Sequence, residues 1–239
     1  MDIATLVNLL LFVGAFGASL AAGDDTSSAS DENDRLYDSD DYSRTDRLGN
    51  GDDFVTADTD NLAWFMEGGD DSLTGSSTAD YADLGAGDDQ ASMGAGNDIV
   101  LAGAGSDTLH GDNGNDTMRG EDGDDNIFGD LGDDSLDGDA GNDQLAGGSG
   151  ADILSGGLGD DLISGFSTQG GAAARMGAPD GADQLFGGAG DDRLILGRGD
   201  TATGGSGDDR FEMDARWRDG YLRLPHGRRQ PDLAARPNL

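Results

Sequence analysis

One apolar residue returns at every ninth position along most of this chain. The series runs Val55, Trp64, Leu73, Ala82, Ala91, Val100, Leu109, Met118, Ile127, Leu136, Leu145, Leu154 and Ile163. It resumes, after a break, as Leu185, Leu194, Ala202 and Phe211. Between these positions the chain is polar and glycine-rich. The stretch from Gly120 to Phe128 is one unit and the stretch from Gly129 to Asp137 is the next, each of the form G-G-x-G-x-D-x-U-x with U apolar. Thirteen such units run from Leu48 to Ser164 with no residue inserted or deleted. Each unit predicts a turn of six residues followed by a strand of three. Within x-U-x the pleat sends the middle side chain to one face and its neighbours to the other. Two units then make a coil of 18 residues with a strand on each side, and successive coils stack as parallel strands about 4.8 Å apart. Seventeen units predict roughly eight coils, a rod on the order of 40 Å long.

The same period places aspartates in columns. Asp53, Asp71, Asp89, Asp107, Asp125, Asp143 and Asp161 hold the sixth place along one edge. Asp80, Asp98, Asp116, Asp134 and Asp152 hold it along the other, with Leu62 at the start where an acid belongs. Beyond the break, Asp183, Asp192 and Asp209 take the sixth place. Adjacent carboxylates in a column repel unless a cation lies between them. A short carboxylate in a glycine turn reaches a cation held by backbone carbonyls, and hard oxygen donors of this kind suit Ca²⁺. These fifteen aspartates are the candidate metal ligands. The acids just before them, Asp52, Asp70, Asp88, Asp124, Asp133 and Asp160, are expected to be solvated. Glycine serves the turn by adopting positive φ and packing tightly on the turn above.

Composition sharpens this picture. The 239 residues carry a net charge of −35, with 45 Asp against 4 Glu, 43 Gly, no Lys and no Cys. Low hydrophobicity with high charge ordinarily means disorder, but an excess of Asp over Glu held in register points to ligating turns. Such an acidic surface repels phosphates and argues against nucleic acid. Without cysteine there is no disulfide framework and no thiolate metal site. The core amounts to one apolar side chain per nine residues, worth ~1.5–3 kcal/mol each. Ordering nine backbones costs about 1–2 kcal/mol per residue, so metal binding is expected to supply the difference.

These residues resemble the RTX (repeats-in-toxin) family, the haemolysin-type calcium-binding nonapeptide repeat proteins, whose repeat forms a calcium-binding parallel β-helix. The likeness covers Leu48 to Glu212. It implies an all-β fold, a right-handed parallel β-roll with several Ca²⁺ ions in its turns, and export as an unfolded polypeptide by a type I secretion machinery. The family's ligands fall on the sixth-place aspartates named above. Two features depart from the family: its members usually lack an N-terminal apolar segment, and their uncleaved export signal is unlike the Arg- and Pro-rich tail seen here.

Outside the repeats the chain divides into four stretches. Residues 3–22 are an apolar run long enough to span a bilayer as a helix. A secretory signal with Ser19-Leu20-Ala21 as its cleavage site, a membrane anchor, and an apolar cap on the first coil are all open readings. Residues 23–47 read as an acidic flexible linker. Residues 165–177 break the register and read as a loop on the stack, after which repeats run from 178 to 212, one residue short where Asp200 follows Gly199. The tail, 213–239, holds six Arg against three Asp and no repeat. It is either a basic patch that folds back on the acidic stack or a diverged or out-of-frame end.

No enzyme is expected. The chain has no H-E-x-x-H, as a zinc protease requires, and no G-x-S-x-G nucleophile elbow. Lacking lysine, it offers nothing for the acylation that pore-forming members undergo. His110 falls at a ninth place, facing solvent, and His226 lies in the tail. Trp64 and Phe211 are read as core. Pairs such as Asp133-Asp134 imitate a glycosidase dyad but recur in most units, which assigns them to the repeat. The expected function is that of a calcium-stabilised structural or adhesive repeat protein, secreted or attached to the cell surface, with residues 3–22 the candidate attachment. The alternative is a stand-alone calcium-binding module of an exported enzyme or toxin.

Overall fold

The computed structural model describes residues 35–38, 45–57, 63–166 and 181–214. It is a parallel β-roll of nineteen strands, from β1 (Arg35–Asp38) to β19 (Arg210–Met213), with no helix among the described residues. Odd-numbered strands form one sheet of ten and even-numbered strands a second sheet of nine. Every strand pairs with the strand two places on, so the chain crosses from sheet to sheet at each turn. In β11 (Asn126–Leu131) and β13 (Gln144–Ser149), Ile127 lies opposite Leu145, an offset of 18 that makes one coil.

The strands are longer than the three residues the repeat predicts. From β10 (Thr117–Asp122) to β14 (Ile153–Leu158) each runs six residues, into the third place of the next unit. The turn proper shrinks accordingly. Backbone groups just past the apolar position still face a partner on the neighbouring coil, and they pair with it rather than with water. Gly123 shows why glycine is required at the corner: its φ is 145°, and a Cβ there would overlap the carbonyl oxygen of Gly105 on the coil before.

The ninefold apolar series forms the core, with Leu109, Met118, Ile127, Leu154 and Ile163 wholly buried and Trp64 nearly so. Two expectations are corrected here. Phe211 does not join the core but is 53% exposed, because no described coil stacks beyond β19. The stretch 23–47 is not linker throughout. It contains β1 and β2 (Thr45–Arg47), which pair with β3 (Phe54–Ala57) and β4 (Ala63–Phe65). The roll therefore starts about one coil earlier than the glycine turns indicate, since strand pairing requires only extended backbone and not the nonapeptide.

Further apolar residues join the core from the first place of the unit: Leu48, Ala57, Met66, Leu84, Met93 and Ala102. The repeat formula assigns that place to glycine, so this second stripe escapes a search for the apolar position alone.

The break in register leaves the roll intact. Leu154 pairs opposite Leu185 and Ile163 opposite Leu194, offsets of 31, which is 13 residues more than the 18 of a regular coil. Gly165 remains inside the roll: its carbonyl accepts from the Gly148 N–H at 3.0 Å. The expected apolar run at 3–22, Leu62, most of the loop at 165–177, and the tail beyond Asp214 lie outside the described residues. Among those described, no helix is long and apolar enough to cross a membrane.

Candidate metal centre

Each turn places its sixth residue against the matching residue of the next coil. On the first edge the N–H of Asp71 donates to Oδ1 of Asp89 at 2.7 Å, Asp89 to Asp107 at 2.7 Å, and Asp125 to Asp143 at 2.9 Å. On the second edge Asp80 donates to Asp98 at 2.7 Å, Asp98 to Asp116 at 2.8 Å, and Asp134 to Asp152 at 2.9 Å. The ladders cross the excursion, from Asp152 to Asp183 and from Asp161 to Asp192, each at 3.0 Å. Asp53 stands at the head of the first column, bonded to Asp71, and Asp209 at its foot, accepting from Asp192 at 3.2 Å. The candidate ligands thus stand in two files, one along each edge.

Only one oxygen of each carboxylate serves the ladder. The Oδ2 atoms of Asp71, Asp89, Asp98, Asp107, Asp116, Asp125, Asp134, Asp143, Asp152, Asp161 and Asp192 are buried with no hydrogen-bond partner. An ionised oxygen in that state is costly unless a cation meets it. Its surroundings are suited to one. A Cβ placed on Gly120 would overlap Asp125 Oδ2 and lie 2.8 Å from the carbonyl oxygen of Gly138, one coil on. The first-place glycine therefore opens a cradle where a carboxylate oxygen and a backbone carbonyl from neighbouring coils converge. The donors are all hard oxygens, which fits Ca²⁺.

The electrostatics match. Burial pushes the carboxyls of Asp98, Asp107, Asp116, Asp134 and Asp143 up to about 7 and that of Asp152 up to about 8, against an ordinary 3.8. The backbone N–H on Oδ1 offsets part of this, and neighbouring aspartates add to it. Burial thus favours the protonated carboxyl as pH falls toward neutrality, and a cation bound there would compete with the proton.

The fifth-place residues do more than face solvent. Asp52, Asp70, Asp88, Asp124, Asp133 and Asp160 are exposed, yet they form a second ladder of opposite polarity. Here the N–H of the later coil donates back: Asp88 to Asp70 Oδ1 at 3.0 Å, Ser106 to Asp88 at 2.8 Å, Ala151 to Asp133 at 2.8 Å. Asn97, Asn115 and Asn142 fill the same role. Because asparagine substitutes freely, this place requires an acceptor and not a charge.

Three features lie beyond the reach of the repeat formula. Asp200 continues the second file, taking the Asp183 N–H on Oδ1 at 3.1 Å, although its unit is one residue short. Its Oδ2 accepts from the Gly197 N–H. In the turn 75–80, Asp80 Oδ2 accepts from both the N–H and the hydroxyl of Ser76, each at 2.9 Å. Asp80, a candidate ligand from its place in the unit, is thus satisfied by its own turn. Finally, Asp112, Asp130 and Asp139 occupy the second place at φ of 66–70°, a left-handed conformation that aspartate tolerates better than most residues. Each meets the ninth-place residue of the preceding coil: Ser92, His110 and Arg119 respectively.

His110 is accordingly not a plain solvent-facing residue. Its Nδ1 is 3.0 Å from Asp130 Oδ2 and its ring stacks on Phe128 at 4.7 Å. The Asp130 carboxylate raises its pKa, with burial opposing. His226 lies outside the described residues.

Among protein-family models, the RTX calcium-binding nonapeptide repeat matches residues 67–91, 92–127, 101–136, 110–145, 128–163 and 180–201. No curated protein matches the chain.

Proposed function

The chain belongs to the family of the RTX calcium-binding nonapeptide repeat, and from that premise we propose that it is a calcium-stabilised repeat protein, secreted or held at the cell surface, with a structural or adhesive role and no catalytic one. The observation that carries this reading is the two files of buried Oδ2 atoms without hydrogen-bond partners, which from Asp116 onward lie beside the first-place glycines of their turns. The sixth-place aspartates hold the ion. First-place carbonyls such as that of Gly138 complete its shell from the neighbouring coil. The Oδ1 ladders fix the carboxylates in place, so little side-chain freedom remains to be lost on binding. Calcium, when bound, supplies positive charge between carboxylates that otherwise repel one another.

Extracellular calcium modules bind with dissociation constants of roughly 10⁻⁴–10⁻³ M, far above cytosolic calcium. A chain with this dependence stays unfolded during export and folds outside, which agrees with the type I route that the family resemblance implies. The test is circular dichroism of the full chain, first in chelator and then with calcium added to millimolar levels. At neutral pH and above, β signal should rise steeply with calcium, and Mg²⁺ should substitute poorly because it demands a strict octahedron and keeps its waters. Equal β content in chelator refutes the proposal.

A further inference from the structure

Resting on the calcium reading, we infer that the roll carries two kinds of turn: glycine-cradled turns from Gly111 onward whose order depends on bound calcium, and earlier turns that are held chiefly by apolar side chains and need less of it. The difference lies at the first place of the unit. From Gly111 to Gly165 that place is glycine in every turn, and again at Gly187 and Gly204. In each, a Cβ would overlap Oδ2 of the sixth-place aspartate. The carboxylate oxygen therefore occupies the volume that any larger residue needs.

In the earlier turns a side chain occupies that volume. Leu48, Met66, Leu84, Met93 and Ala102 stand at the first place, and all five are buried in the core. Oδ2 of Asp71, Asp89 or Asp107 cannot take the position it takes in a glycine turn, because a real Cβ is already there. These coils gain a second apolar stripe where the later coils pack a carboxylate oxygen against the first-place glycine.

Two turns stand apart from this division. Gly75 is the one early glycine at this place in the described turns, and a Cβ on it would meet the backbone of Met93 first, not a carboxylate oxygen. Ser76 has drawn Asp80 Oδ2 away by two hydrogen bonds. That turn therefore presents no carboxylate to an ion. In the late half, Leu196 holds the first place of the short unit, and its Asp200 Oδ2 is likewise taken by a backbone N–H. Oδ2 thus lies against the first-place glycine in the late turns, stands elsewhere but still without a hydrogen-bond partner at Asp71, Asp89, Asp98 and Asp107, and is closed by donors at Asp80 and Asp200.

The test is hydrogen exchange with mass spectrometry on the full chain, across a calcium titration that starts in chelator. Peptides from 63–107 should gain protection at several-fold lower calcium than peptides from 111–194. Two substitutions probe the cause. Gly129→Ala should raise the calcium midpoint of the late half several-fold. Ala102→Gly, which removes only one methyl from the core, should raise the calcium concentration at which residues 99–110 gain protection toward that of the late half. A single midpoint for both halves, the reverse order, or either substituted chain behaving like the parent overturns the inference. If Gly129→Ala folds at no calcium level, Ala102→Gly alone decides. No calcium-dependent protection anywhere defeats the calcium reading itself, a distinct result.

Discussion

The backbone N–H of Asp107 donates to Oδ1 of Asp125 at 2.8 Å, across one coil and eighteen residues of chain. The bond uses one carboxylate oxygen and leaves the other against Gly120, so on the proposed reading a single residue both ties two coils together and offers a ligand. Asparagine at 125 would keep the acceptor and lose the charge. Asp125→Asn is expected to preserve the saturated fold but raise the calcium midpoint, by about tenfold if ~1.4 kcal/mol of binding at that turn is lost. Asp124→Asn and Asp122→Ala, at the fifth and third places, should leave it nearly unchanged. Circular dichroism titrations of the three chains measure this, and equal shifts would assign the effect to bulk charge.

Acidity should act in opposite directions with and without calcium. The metal-free carboxyls stand at about 6 for Asp89 and Asp161 and about 8 for Asp152, above the ordinary 3.8. Groups raised in this way stabilise the metal-free fold fully at pH below about 4, and the contribution is lost as pH rises through 6 to 8. In chelator, β signal should therefore be greatest in acid and fall toward pH 8. With calcium present, protons compete for the same oxygens, so the calcium midpoint should rise as pH falls from 8 to 6. A calcium midpoint independent of pH over that range would contradict the assignment of these carboxylates as ligands.

Position in the stack should decide the cost of losing an apolar side chain. Leu136 is 2% exposed in mid-stack and Phe211 is 53% exposed on the last strand, although both hold the eighth place of the unit. At saturating calcium, Leu136→Ala should destabilise by ~2–5 kcal/mol. Phe211→Ala should change stability by less than about 0.5 kcal/mol, as an exposed substitution does. Denaturant unfolding of the two chains gives the comparison.

The corner glycines allow a sharper test than the core. Gly123 combines φ of 145° with a Cβ direction aimed at the Gly105 carbonyl. Gly123→Ala incurs the strain of a side chain at that backbone angle, about 1–3 kcal/mol, and the clash in addition. The residues other than glycine that adopt positive φ among those described are all second-place acids: Glu67, Asp112, Glu121, Asp130 and Asp139. Asp130, at φ of 70°, falls in the small left-handed region where a side chain fits. Asp130→Gly should therefore cost far less than Gly123→Ala, read by the same unfolding experiment.

The roll and its two aspartate files were legible from the chain because both depend on a strict period. Parallel stacking at an 18-residue offset follows from apolar residues nine apart, as Ile127 opposite Leu145 demonstrates. The same arithmetic located Asp125 above Asp143 and marked a break in register after Ser164. Departures from the period were legible only in three dimensions. Strands β1 and β2 lack the glycine turn and join by backbone pairing alone. The short unit conceals Asp200 from a count of nine, yet the ladder finds it. Ser76 reads as an ordinary turn residue, and only its distance to Asp80 Oδ2 removes that carboxylate from the ligand set. Periodicity states which residues share an edge or a face. Whether a given oxygen on that edge is left open, closed by a neighbour or displaced by a side chain depends on contacts of a few ångströms, and those exist only once the coils are stacked.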